Sequence, residues 1–137
     1  MKFDSIRILS FSAEYCGVCR GVEKTGVVEK FTDKHFPPKM SVHKLVCADK
    51  DGEPSTDEYK KNYAISDAYD VEAFPTFIIE GKLKDGTGYE IARIDSSSVS
   101  AFTLKEFDRV YKVGLAELEE LPDDLESQDA ASKRIPW

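Results

Sequence analysis

The 137-residue chain has three cysteines, two histidines and one tryptophan, and its 19 basic residues are outnumbered by 26 acidic ones. Each shortage excludes something. Three cysteines cannot build the several bridges of a small secreted disulfide scaffold. His35 and His43 are distant from any cysteine pair and have no motif around them, so both read as ordinary surface or half-buried residues. The deficit of bases leaves no basic footprint, and no nucleic-acid partner is expected. No apolar run approaches the roughly 18–20 residues that span a bilayer, so no membrane partner is expected. Asp4 and Arg7 interrupt the short apolar start and no small-residue cleavage pattern follows. A secretory signal is therefore not read there, and a cytoplasmic location is expected.

What is present fits one domain with a single core. The net charge of −7 is unevenly placed. Residues 117–129 carry seven acids and no base, whereas residues 1–116 hold 19 acids against 17 bases. The expected organisation is a domain over residues 1–121 and an acidic tail over residues 122–137. The tail has few apolar residues and no periodicity, so it is expected to be flexible. Its end, Lys133-Arg134-Ile135-Pro136-Trp137, leaves open a docking on the body or on a partner.

Residues 6–12 read as a buried strand. Residues 17–36 read as one helix with Val18, Val22, Val27, Val28 and Phe31 on a loose apolar face, stopped by Pro37-Pro38. Residues 41–48 read as a strand and 57–69 as a helix with Tyr59, Tyr63 and Ala64 on one face. Residues 76–80 and 89–95 read as two strands of a hairpin joined through Lys84-Asp85-Gly86-Thr87-Gly88. Thr103 reads as the N-cap of a last helix ending near Leu118, with Glu106 in the capping-box position. The order is β-α-β-α-β-β-α.

The chemistry lies in Cys16-Gly17-Val18-Cys19, between the first strand and the first helix. Two thiols at this spacing can close reversibly into a disulfide. Cys16 falls at a helix N-terminus, where unpaired N–H groups and the helix dipole favour a thiolate. Cys16 is therefore the expected nucleophile and Cys19, one turn on and expected to lie deeper, the resolving thiol. The competing reading is half a zinc site. Tetrahedral zinc needs about four ligands, and no second C-x-x-C or nearby H-x-x-H is available, so no metal and no cofactor are expected. Cys47, inside the second predicted strand, reads as a buried inert thiol.

Four features in order make the chain similar to the thioredoxin and glutaredoxin superfamily over about residues 5–115. They are Phe11-Ser12-Ala13-Glu14-Tyr15-Cys16-Gly17-Val18-Cys19, Ala48-Asp49, Tyr69-Asp70-Val71-Glu72-Ala73-Phe74-Pro75-Thr76-Phe77, and a hairpin followed by Leu104-Lys105-Glu106-Phe107. The resemblance implies an α/β, thioredoxin-like fold with a central mixed four-stranded sheet flanked by helices. It implies a cis Phe74–Pro75 bond beside the dithiol. It implies substrate contacts at Tyr15, Gly17, Val18, Phe74 and Pro75. The implied function is thiol–disulfide oxidoreduction on protein disulfides, by a monomer recharged by a reductase or dithiol donor, and the expected cytoplasmic setting favours the reductant direction. The alternatives are a disulfide isomerase or oxidase of an oxidising compartment, and a partner-binding module with a non-essential dithiol.

The chain also departs from the pattern. Only five residues precede the first strand, as in the minimal, glutaredoxin-like version of the fold. Ser10 stands where thioredoxins carry a buried aspartate, and Leu45 where its lysine partner often falls. Glu14 and Glu23 are the acids nearest the dithiol in sequence, and surface solvation is the role expected of both.

Overall fold

A computed structural model describes residues 2–35 and 40–122. The Pro37-Pro38 stop, the tail from residue 123 onward and Trp137 lie outside the described residues. Four strands, β1 (Ser5–Ser12), β2 (Met40–Val46), β3 (Thr76–Lys82) and β4 (Gly88–Asp95), form one mixed sheet. Their spatial order is β2-β1-β3-β4. β1 runs parallel to β2, and β3 runs antiparallel to both β1 and β4. The α/β class and the four-stranded mixed sheet are thus as the sequence leads one to expect.

Alternation sorts the strand residues into two layers. Ile6, Ile8, Phe77 and Ile79 join Phe31, Phe107 and Tyr111 in the larger core, beneath helices α1 (Gly17–Thr25), α2 (Val27–Lys34) and α4 (Leu104–Glu119). Leu9, Phe11 and Ile78 face the other way, onto Ile65 and Tyr69 of helix α3 (Asp57–Ala68) and its end. The rings of Phe31, Phe77, Phe107 and Tyr111 meet at centroid distances of 5.4–5.6 Å in tilted or edge-on contacts. Fully burying such a side chain contributes about 1.5–3 kcal/mol.

Three corrections to the sequence reading have clear causes. The single helix over residues 17–36 is two helices. Gly26 adopts φ 67°, a left-handed conformation, and its N–H bonds the Glu23 carbonyl, which closes α1. The Thr25 hydroxyl donates to the Val22 carbonyl at 2.6 Å and accepts the Val27 N–H at 3.3 Å, bridging the break. Secondly, α3 turns Asn62, Ile65 and Ser66 inward, while Tyr63 and Ala64 are exposed. The two polar residues are buried because they are bonded, Asn62 to the Val46 carbonyl at 2.9 Å and Ser66 to the Tyr63 carbonyl at 2.7 Å. Thirdly, a one-turn 3-10 helix, Val99–Ala101, lies between β4 and α4 over residues to which the sequence reading gives no element, with Val99 against Gly21 of α1.

The Thr103 cap read from the sequence is present, and Thr56, not read as a cap, is one too. Thr56 and Thr103 accept the N–H of Tyr59 and Glu106 at 3.0 and 3.1 Å. Glu106 completes no box with Thr103 in the described bonds; its carboxylate binds Arg109. Among the described residues no helix is long and apolar enough to cross a membrane.

α4 crosses β4 so closely that a Cβ on Gly114 would overlap the Ile91 carbonyl oxygen. Gly114→Ala must push helix and strand apart and is expected to lower unfolding free energy by about 1–3 kcal/mol, read from urea denaturation. Where α4 meets α2, Asp108 of α4 accepts from Lys34 and from His35 Nε2, the latter at 2.8 Å. Burial opposes ionisation of Asp108, but these two partners hold its carboxyl below the usual range. A depressed acid stabilises the fold fully above its unfolded value, about pH 4, and the contribution is lost as pH falls through the lower native value. Stability measured from pH 7 down to pH 2 should fall in that window, and Asp108→Asn should flatten that part of the profile.

Candidate redox site

β1 ends at Ser12, and the chain turns through Ala13-Glu14-Tyr15 into α1. Cys16 is the N-cap of α1, with extended backbone at φ −80° and ψ 103°. Its Sγ accepts the Cys19 N–H at 3.1 Å. It thereby takes the part that Ser or Thr plays at most helix starts, satisfying one of the unpaired amides of the first turn. Cys16 and Cys19 form a disulfide with their Cα atoms 5.3 Å apart.

The two cysteines are buried in the reverse of the expected order. Cys16 is only 7 % exposed, backed by Ala13, Ala48 and Phe74, whereas Cys19 is partly exposed. The reason is a solvent-open trough of about 870 Å³ between α1 and the β2 side of the sheet, which Cys19 lines together with Ser10, Ser12, Val22, Val42 and Val46. Lys44 of β2 reaches Glu23 of α1 at 3.8 Å. Ser10 puts a small hydroxyl on the trough wall.

The remaining sequence-selected residues gather on the same end of the sheet. The antiparallel pairing of β1 with β3 sets Phe11 opposite Thr76. The loop leaving β1 and the loop entering β3 therefore emerge side by side. The Phe74–Pro75 peptide is cis. The Phe74 carbonyl oxygen lies 3.6 Å from Cys16 Sγ. Pro75 is buried, Phe74 and Val18 are half-buried, Gly17 is exposed, and Tyr15 is 50 % exposed. The Tyr15 ring lies near the turn at Gly52, φ 81°, where an added Cβ would meet it at 3.8 Å. Glu14 accepts from the Tyr59 hydroxyl, and this carboxylate raises the Tyr59 pKa. Arg20 donates to the Glu14 carbonyl at 2.6 Å. The dithiol turn is thus clamped from α1 and from α3.

Cys47 lies one residue past β2 rather than inside it, with its N–H still on the Ser12 carbonyl at 2.8 Å. It is fully buried, and desolvation pushes its thiol up to about 11. His35 sits on Asp108 between the Phe31 and Tyr111 rings, and His43 is on β2 near Ser41. Among the described residues no group of three or more His, Cys, Asp or Glu side chains is placed to hold a metal.

The sequence reading missed a charge network on the α3 face. Arg7 and Glu80 are paired residues of β1 and β3, 0 % and 1 % exposed, with Arg7 Nε 2.7 Å from Glu80 Oε1. The Tyr69 hydroxyl donates to Glu80 Oε2 at 2.8 Å. Burial drives the Glu80 pKa up, opposed by Arg7 and the Tyr69 hydroxyl. Burial first, and then the Glu80 charge, raises the Tyr69 pKa. On β4, Arg93 binds Glu90 at 2.7 Å and the carbonyls of Tyr69 and Asp70 at 2.7 and 3.3 Å. The available signal is a charge in the middle of an apolar strand, as in Ile6-Arg7-Ile8 and Ile79-Glu80-Gly81.

No family model matches this sequence, and no curated protein sequence matches it. Solved structures do. One described as the structure of a malarial protein has a TM-score of 0.52 and 20% identity, covering 81% of this chain and 98% of that one. A thioredoxin from Thermus thermophilus has a TM-score of 0.51 and 18% identity, covering 80% of this chain and 73% of that one. At such identity the likeness speaks for architecture. With its β2-β1-β3-β4 sheet and a Cys16–Cys19 pair at the head of α1, the chain has the thioredoxin fold.

Proposed function

We propose that this protein is a thiol–disulfide oxidoreductase that reduces protein disulfides through Cys16 and Cys19. The observation that carries the reading is the Cys16 sulfur at the N-cap of α1, bonded by the Cys19 amide and joined to Cys19 as a disulfide. In the reduced protein the same amide and the helix dipole favour the Cys16 thiolate. That thiolate attacks one sulfur of a substrate disulfide. The substrate S–S bond breaks, a Cys16–substrate mixed disulfide forms, and the second substrate sulfur leaves and takes up a proton. Cys19 loses its proton to the solvent of the trough and attacks Cys16 Sγ. The remaining substrate thiol departs, and Cys16–Cys19 is left oxidised. Two electrons have passed to the substrate, and a reductase or dithiol donor returns them.

Tyr15, Gly17, Val18, Phe74 and Pro75 form the substrate platform in this reading. Tyr15 and Gly17 supply exposed ring and backbone on one side of the disulfide, and half-buried Phe74, backed by buried Pro75, the other. The reductant direction draws support from what surrounds Cys16. Its hydrogen bond comes from one amide, Arg20 is engaged with the Glu14 carbonyl, and both histidines lie elsewhere. A thiolate with modest help keeps the oxidised form stable, which suits a reductant in a reducing compartment such as the cytoplasm.

Insulin reduction with dithiothreitol as donor should proceed with the intact protein and stop with Cys16→Ser. Cys19→Ser should accumulate a mixed disulfide visible as an added mass. Full activity in Cys16→Ser would overturn the reading. Iodoacetamide near pH 7 should label Cys16 first in the reduced protein. Cys47, its thiol pushed up to about 11, should react only after unfolding in guanidinium.

A further inference from the structure

We infer that Arg93 is a positioning residue of this site, holding the loop of residues 70–74 so that its Phe74 carbonyl stands against Cys16. The inference rests on the oxidoreductase reading for its effect on turnover, but its geometry is independent of that reading. Arg93 lies on β4, in register with Ile78 of β3, and sits on the α3 face. One fork of its guanidinium reaches the Tyr69 carbonyl at 2.7 Å and the other the Asp70 carbonyl at 3.3 Å. These are carbonyls at the C-terminal end of α3, where intrahelical donors run out. Cationic side chains fit such ends. Glu90, at 2.7 Å, fixes the guanidinium from behind.

The loop to Pro75 starts at these two carbonyls. Asp70 has φ 56°, a left-handed conformation that reverses the chain out of α3. From there the chain runs Val71-Glu72-Ala73-Phe74 to Pro75. Val71 N–H bonds the Ser66 carbonyl at 2.9 Å, and the Thr76 hydroxyl donates to the Ala73 carbonyl at 2.7 Å. The loop is thus pinned at both ends, and Arg93 is the side chain that pins its start from a different strand. Its far end carries the carbonyl 3.6 Å from Cys16 Sγ. The same segment is anchored from below by the Tyr69 hydroxyl on Glu80. Release of the start lets the wall opposite the dithiol drift, while the Cys16 N-cap stays as it is. A protein substrate that lies along the wall then binds worse. A small disulfide that needs only the sulfur does not notice.

The test compares Arg93→Lys and Arg93→Ala with the intact protein on two disulfides, insulin and 5,5′-dithiobis(2-nitrobenzoate). Lysine keeps the charge but cannot fork across two carbonyls. For insulin, KM should rise on the order of tenfold in both variants, the equivalent of one lost charge-assisted hydrogen bond, with kcat little changed. Reduction of the small disulfide and the reduction potential of the dithiol should not change. Equal losses on both disulfides, or no loss on either, would overturn the inference. Amide hydrogen exchange gives a readout independent of activity. Residues 71–74 should exchange faster in Arg93→Lys while β1 does not, and unchanged exchange there would also overturn it. If the intact protein reduces neither disulfide, the oxidoreductase reading falls, and the exchange result alone decides whether Arg93 positions the loop.

Discussion

The buried pair of Arg7 and Glu80 constrains the rest of this structure. Arg7 and Glu80, 0 % and 1 % exposed, meet across β1 and β3 at 2.7 Å. Removing one partner of a buried pair costs about 3–5 kcal/mol, and on Glu80 the Tyr69 hydroxyl adds a second bond at 2.8 Å. A slip of one residue between the strands would send either side chain to the aromatic core on the opposite face. The pair therefore holds the register in which Phe11 faces Thr76. That register brings the turn leading to Cys16 beside the loop leading to Pro75. A contact at one end of the two strands thus sets the geometry at the other.

The site itself is built from chain ends rather than from a rigid pocket. Cys16 caps a helix, the Phe74 carbonyl closes a loop, and Tyr15 lies near a turn at Gly52. Such segments need bracing. Tyr59 supplies it through Glu14, Arg20 through the Glu14 carbonyl, and Arg93 through Tyr69 and Asp70. The braces come from three different elements, so the dithiol is surrounded by parts that the sheet aligns independently. The trough on the β2 side leaves Cys19 open to solvent. In the proposed exchange this water takes the proton of the second thiol.

Much of this was legible in the sequence for local reasons. A threonine before a helix announces a cap, alternation announces a strand, and two cysteines at a strand-to-helix junction announce a dithiol. The misreadings arise where local pattern and global packing part. Val18 and Val22, and Val27 and Phe31, each keep an i,i+4 step, but Val22 and Val27 stand five apart; that loose step across Gly26 is a weak mark of the break, and a reading for one continuous face passes over it. Asn62 and Ser66 look like surface residues until the Val46 and Tyr63 carbonyls are found above them. Arg7 and Glu80 lie 73 residues apart, and only the strand register makes them neighbours. The order of burial of Cys16 and Cys19 depends on how far α1 stands from β2, which no short window of sequence records.

The break at Gly26 separates two traits. A helix dipole acts on its surroundings chiefly through its terminal turn. α1 is nine residues long and ends at Gly26, and α2 begins afresh with its own termini. Thiol acidity is therefore governed by the first turn at Cys16. The bulk of the aromatic core hangs from α2, through Phe31, and from α4. A continuous helix would tie acidity and core packing together. Drift in the residues of α2 can retune how firmly the molecule holds together while the chemistry of its sulfur stays put, so the two are free to evolve on separate schedules.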